Sequence, residues 1–360
     1  MTTILDKLSK RTIGLLEDIE SRIDPEAEED YIDQWSDFLN DRFTGDIFTP
    51  RRKKLSLSNA ERKGIMINDA MEDFDSMLYS QLLGVSFALD DSESNRYRSW
   101  NLAIRANYGS CIGTSLFGAE VFIMPYKTNT LPITRTLTGD DAMERVLDKG
   151  IPDNHAGLGA KAFGFGEFVQ EVFSHYPKIS KYVTVYHPDI QGPIDNCELL
   201  FGEEMFYKMM DEPDTVHDVL DLITRSYISF MEEWQKLYPP RPDMNLHWGH
   251  VWHKGTILLR CDSAMNLSPD MYDEFCVPYD RRLLDRFGGG GMHFCGKGDH
   301  YIKSLCEAPG LSVVNMTQPH LNDMEVIYRN TVDKGIKLVG FDHGRAQRDV
   351  GRGFNHSVCT

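Results

Sequence analysis

From Lys181 to Phe341 the chain alternates short β-prone runs with amphipathic helical stretches, and that alternation restricts the fold more than any other feature. Tyr182-Val183-Thr184-Val185-Tyr186 predicts a strand. Asp214 can cap a helix whose apolar stripe runs through Val216, Val219, Leu220, Ile223, Tyr227, Phe230, Met231 and Trp234, and Pro239-Pro240 ends it. Thr256-Ile257-Leu258-Leu259-Arg260 is a second strand, and Ser268-Pro269 supplies a cap and a first-turn proline for the next helix. Glycines 288–291 stop that helix and lead into Met292-His293-Phe294-Cys295. A helix near 299–307, the strand Ser312–Met316, a helix capped by Asn322 and Glu325 and stopped at Gly335, and the strand Ile336–Phe341 complete the series. Such a grammar belongs to α/β folds with a parallel sheet covered by helices, either closed into a barrel or doubly wound.

Upstream the pattern is weaker. Residues 1–45 read as polar, acidic helices, with Pro25-Glu26-Ala27-Glu28-Glu29-Asp30 a solvated helix start. Ser58 and Glu61 have capping-box spacing and predict a long helix to about Leu83. Between Val85 and Lys178 many glycines suggest loops and close backbone approaches. With 360 residues, 41% of them hydrophobic, one large α/β domain can bury its core. The formal charge of −17 repels phosphate backbones, which argues against nucleic acid as a partner. No run approaches the roughly 20 apolar residues of a membrane span, and Met1–Glu20 lacks the apolar core of a signal peptide. A cytoplasmic address is expected, with no membrane partner. The seven scattered cysteines then read as reduced thiols rather than a disulfide framework. Nothing sets the oligomeric state, and a homodimer is one option.

His293-Phe294-Cys295-Gly296 carries the strongest chemical signal. Alternate strand residues share a face, so His293 and Cys295 point the same way at a strand's carboxyl end, where α/β-barrel enzymes place their chemistry. An imidazole and a thiolate so placed are half of a tetrahedral zinc site. The plainer alternative is a buried histidine beside a core cysteine.

The order Asp262-Ser263-Ala264, Leu267-Ser268-Pro269, Pro278-Tyr279 and His293-Phe294-Cys295-Gly296 resembles the uroporphyrinogen decarboxylase superfamily. So does Gln191-Gly192-Pro193-Ile194-Asp195, then Gly202 and Asp211-Glu212-Pro213-Asp214 before a long helix. The resemblance covers roughly residues 180–345. It implies a single (β/α)8 TIM barrel over residues 51–360, with an N-terminal helical extension over residues 1–50. Within that superfamily the His-x-Cys-Gly pattern is similar to the zinc-dependent corrinoid and thiol methyltransferases. There, zinc on the histidine and cysteine activates a thiol that takes a methyl group from a corrinoid, carried by a partner protein, or from a small methyl donor. The decarboxylases carry an Arg-Gln-Ala-Gly-Arg segment near the N-terminus that this chain lacks; Arg51-Arg52, Arg96 and Arg98 are not its equivalent. A metal-free decarboxylase of a tetrapyrrole and a non-catalytic tetrapyrrole-binding barrel are the competing readings.

The resemblance also calls for a third metal ligand near the chain end. His343 ranks slightly ahead of Cys359 and His356, and each has a plain packing role as its alternative. Asp195 and Glu198 fall where the superfamily has pocket-facing polar residues, suited to proton transfer or to a helix cap. Asp262 follows a buried-looking strand and is a further candidate for the cavity. His247, His250 and His253 interleave with Trp248 and Trp252; His247 and His250 are candidates for contact with a flat cofactor. Gly249 and the preceding prolines argue against a regular helix there. His300 is a reserve ligand.

Overall fold

The computed structural model describes residues 4–91 and 100–360, so Arg96 and Arg98 lie outside the described residues. Its strands are β1 (Ile47–Phe48), β2 (Ala103–Ile104), β3 (Val121–Phe122), β4 (Ile133–Thr134), β5 (Thr184–Val185) and β6 (Asn245–His247). They continue with β7 (Val251–His253), β8 (Ile257–Arg260), β9 (Gly290–Phe294), β10 (Leu311–Met316), β11 (Lys337–Leu338) and β12 (Val358–Cys359). Six form one parallel sheet in the order β1-β12-β11-β10-β9-β8. β2 and β5 make a separate parallel pair, while β3–β4 and β6–β7 are antiparallel.

The fold is therefore mixed α/β, as the alternation predicts, but the sheet is not closed. Among the described residues no ladder joins β8 to β5 or β1 to β2. At the first seam a side chain substitutes for a strand: the Leu258 N–H donates to His187 Nε2 at 3.3 Å. The strand expected over 182–186 shrinks to Thr184–Val185, because the helix Pro177–Tyr182 runs directly into it.

Strand period decides which residues face which layer. Ile257, Leu259, Met292, Phe294, Val314 and Met316 enter the large core beneath the covering helices. Leu258 and Val313 point the other way, into a second core with Phe48, Val339 and Cys359. The β6–β7 hairpin lies on that second face and contributes Leu246, Val251 and Trp252; the helix Pro25–Leu39 adds Tyr31, Trp35 and Phe38. Trp252 is anchored by its indole N–H, which donates to Asn101 Oδ1 at 2.7 Å. Burying a large apolar side chain contributes about 1.5–3 kcal/mol, so the hairpin is a structural filling, not a loose insertion.

The long helix expected from Ser58 does not form. Ser58 Oγ donates to Asp18 and accepts the Ala60 N–H, a local turn that competes with helix nucleation. The helix starts instead at Phe74, capped by Asp73, and runs to Ala88. Ser268 caps its helix as expected, whereas Asp323 rather than Asn322 caps the helix Met324–Asn330. The turn at Gly288 and Gly289 holds positive φ angles of 69° and 95°, and β9 begins at Gly290. No helix among the described residues is long and apolar enough to cross a membrane.

Candidate metal centre

Three neighbouring strands bring their side chains to one level. In the sheet register Arg260 on β8 and Asn315 on β10 both pair with His293 on β9. One pleat further along, beyond the strands, stand Asp262, Cys295 and Thr317. These two rows form the site.

His293 is buried and its donors are fixed. Asn315 Nδ2 donates to the Val339 carbonyl at 2.6 Å, which turns Asn315 Oδ1 towards His293 Nδ1, 2.6 Å away. Nδ1 must therefore carry the proton, leaving the Nε2 lone pair free. That nitrogen lies 3.3 Å from Cys295 Sγ and 3.4 Å from Asp262 Oδ1. The Trp248 ring meets the imidazole edge-on at 4.8 Å. Burial lowers the His293 pKa, keeping it a neutral donor, while burial raises that of Cys295, to whose sulfur Thr317 donates at 3.2 Å.

Asp262 is tied in from several sides. Its Oδ1 accepts the Cys295 N–H at 2.7 Å, and Arg260 bonds its Oδ2 at 3.0 Å. Arg260 also pairs with Asp189, which Arg105 reaches at 3.3 Å. Beneath them the buried Asp195 accepts the N–H groups of Asp262 and Ser263 at 3.1 and 2.8 Å. Burial, then the nearby Asp262 charge, raises the Asp195 carboxyl to about 6. Asp195 thus braces the turn that aims Asp262. A cavity of about 360 Å³ opens alongside, lined by Arg105, Asp189, Asp195, Glu198, Arg260 and Asp262.

Asp262, His293 and Cys295 are a group of potential metal ligands whose donor atoms all lie within 4.8 Å of one another. The fit to zinc is good on spacing and chemistry. Tetrahedral ligands about 2.0–2.3 Å from zinc stand roughly 3.3–3.7 Å apart, and imidazole, thiolate and carboxylate are its usual donors.

One solved structure with this fold is a methyltransferase from Methanosarcina mazei. The TM-score is 0.59 over 85% of this chain and 80% of that one, at 13% identity, so the likeness is one of fold. No family model matches the chain, and a search of curated proteins finds no relative.

The structure thus gathers His293 and Cys295 with Asp262, and sets Asp195 and Glu198 on the adjoining cavity wall. The other expected ligands lie apart from this trio. His343 opens the helix His343–Asp349, with Nδ1 3.0 Å from Thr360 Oγ1. Cys359 sits on β12 in the second core, where burial pushes its thiol up to about 12. His356 Nδ1 donates to the Gly45 carbonyl at 2.8 Å, and His300 Nε2 to that of Leu267 at 3.0 Å. His250 stacks obliquely on Trp100, with ring centroids 5.4 Å apart, and lines a 210 Å³ cavity with Cys359. His247 belongs to a different cavity. Sequence reasoning missed Asn315, although a buried amide in the apolar run Val313-Val314-Asn315-Met316 was a readable signal. Asp189 and Arg260 carried none, and Trp248 stood out only as an aromatic neighbour of the interleaved histidines.

Proposed function

We propose that the chain is a zinc-dependent methyltransferase that moves a methyl group from a corrinoid, or from a small methyl donor, to a thiol. The observation that carries this reading is the Asp262–His293–Cys295 trio, with a lone pair of His293 aimed between the other two donors. The likeness in fold to the Methanosarcina mazei methyltransferase supports it. We also take the six strands of the parallel sheet, β1 and β8–β12, together with the parallel pair β2–β5, as the eight staves of a distorted (β/α)8 barrel whose seams lie at β5/β8 and β1/β2. The trio then occupies the carboxyl ends of the staves.

His293, Cys295 and Asp262 would hold the metal, with Asp262 rather than His343 or Cys359 as the third ligand. Bound zinc supplies a Lewis acid that keeps a substrate thiol deprotonated at neutral pH. Asn315 keeps the His293 tautomer, and Arg260 keeps Asp262 turned towards it. Glu198, on the cavity wall, is assigned the thiol proton. A substrate thiolate held there would attack the methyl carbon, forming the sulfur–carbon bond while the leaving group of the methyl donor would keep the electron pair of the bond that breaks.

A decarboxylase of poly-acids suits the cavity less well. Its two arginines, Arg105 and Arg260, face four acids, and both already bind Asp189. A substrate rich in carboxylates would meet an uncompensated negative wall.

The test is metal analysis of the purified chain, followed by thiol-dependent demethylation of methylcobalamin read by its visible absorbance. About one zinc per chain is expected, lost in Cys295→Ser together with turnover. A wild type without zinc, still metal-free after incubation with it, would overturn the proposal.

A further inference from the structure

The register that sets Asn315 opposite His293, and Met316 opposite Phe294, brings Thr317 level with Cys295 just beyond the strands. The Thr317 hydroxyl lies 3.2 Å from Cys295 Sγ and also reaches Gln318 Oε1. It has one proton for two acceptors. Gln318 Oε1 already accepts the Gly296 N–H at 2.6 Å, so it does not depend on the hydroxyl. The sulfur has less choice. His293 Nε2, 3.3 Å away, offers it a lone pair rather than a proton, because Asn315 holds the imidazole proton on Nδ1. The Cys295 N–H goes to Asp262. Among the described residues, Thr317 is thus the one proton donor at the sulfur.

A neutral thiol leaves the hydroxyl with Gln318. A thiolate draws it across, since a hydrogen bond to an ionised acceptor is about twice as strong as one between neutral groups. A cysteine that binds metal is a thiolate.

That choice matters for methyl transfer, and the inference rests on the function proposed above. Two thiolates would share the site, the substrate's and that of Cys295, and either can attack a methyl carbon. Attack by Cys295 would form a sulfur–carbon bond on the protein, the leaving group would keep the electron pair of the broken bond, and turnover would end. Burial does not prevent this: Cys295 is partly exposed, whereas the other six cysteines are buried. We propose that Thr317 is a positioning residue that keeps Cys295 a metal ligand rather than a methyl acceptor. Its O–H, donated to the metal-bound sulfur, ties up the electron pair that would otherwise attack.

The test compares the wild type with Thr317→Val and Thr317→Ser. Thr317 is exposed, and valine keeps its shape while putting a methyl where the hydroxyl stood, so both variants should fold. Both should also hold about one zinc per chain, because all three ligands remain. The zinc-loaded chains are treated with methyl iodide, and methylation of Cys295 is followed by mass spectrometry. Thr317→Val should react about tenfold faster, close to the worth of one hydrogen bond to a charged group, and Thr317→Ser at the wild-type rate. Loaded with Co(II) instead, the chain should show a sulfur-to-cobalt charge-transfer band. Without its donor the sulfur pair rises in energy, so Thr317→Val should move the band to longer wavelength and Thr317→Ser should restore it. Equal methylation rates, a band that Thr317→Val leaves in place, or loss of zinc from Thr317→Val would each overturn this proposal and leave the metal centre standing. A wild type that takes up neither ion would overturn the metal centre, and this inference with it.

Discussion

Replacing Asn315 by alanine separates a metal centre from a merely buried histidine. The amide makes two bonds, accepting from His293 Nδ1 at 2.6 Å and donating to the Val339 carbonyl at 2.6 Å. Asn315→Ala leaves both partners buried and unpaired. Each such group costs about 1–3 kcal/mol, and water entering the vacated space recovers part of it, leaving about 2–4 kcal/mol. At about 2.1 cal/mol/K per residue, the 360 residues carry an unfolding entropy of roughly 0.75 kcal/mol/K, so the metal-free protein should melt about 3–5 °C lower. The second effect is specific to metal. Without its acceptor, the His293 proton can move to Nε2, where it blocks the lone pair facing Cys295 and Asp262. Removing such a support typically lowers metal affinity 10–100-fold, about 1.4–2.7 kcal/mol. Chelator competition, with the free zinc concentration buffered, measures that change directly. Asn315→Asp restores the acceptor and should recover most of the affinity while keeping the loss at Val339. If Asn315→Ala is destabilised yet binds zinc as tightly as the wild type, the amide does not set the tautomer, and the reasoning fails.

Other outcomes follow from the same contacts. His187 and His253 are both held to about 4, chiefly by burial, against about 6.5 when unfolded. Between those values the unfolded chain binds protons that the folded chain does not, so stability is fullest above pH ~6.5 and falls towards pH 4, by about 3 kcal/mol per histidine. Urea unfolding across that range should show it, with the slope reduced by about one proton in His187→Gln; an unchanged slope refutes it. A Cβ on Gly192 would run into the Arg260 carbonyl, which is backbone and cannot move aside cheaply. Gly192→Ala should therefore cost more than about 3 kcal/mol by denaturant titration, and a neutral result would mean that the loop does not approach β8 this closely. Arg260→Lys keeps the charge but not two bonds in one plane; zinc affinity should drop several-fold by the same chelator competition, and an unchanged value would show that the bridge to Asp262 is dispensable.

How much of this was legible in the sequence depends on the range of the interaction. Strands β8, β9 and β10 announced themselves because each is a short apolar run between turn residues, a local property. The shared face of His293 and Cys295 followed from strand period alone. Asp262 was visible as a cavity candidate but not as the third ligand, because that role depends on register: only when Arg260 pairs with His293 does Asp262 come level with Cys295. A shift of one residue would turn it to the opposite face. The β6–β7 hairpin was illegible for a related reason. Its histidines and tryptophans match no helical stripe, and what orders them is a surface built from four distant strands and the helix Pro25–Leu39.

The hairpin also backs the metal centre. Trp248 at its tip meets His293 edge-on, and the next residue back, His247, is buried with its Nδ1 2.8 Å from His253 Nε2. Both Trp248 and Gly249 hold positive φ, at 50° and 69°, so the tip is a tight turn braced by the Asn101 N–H on the Gly249 carbonyl at 2.6 Å. A shift of this tip therefore moves the ring that backs the imidazole of His293. Interiors packed at this density transmit small displacements rather than absorb them. Trp248→Ala should therefore weaken zinc binding in the same chelator competition, and an unchanged affinity would show that the hairpin tip does not hold the imidazole.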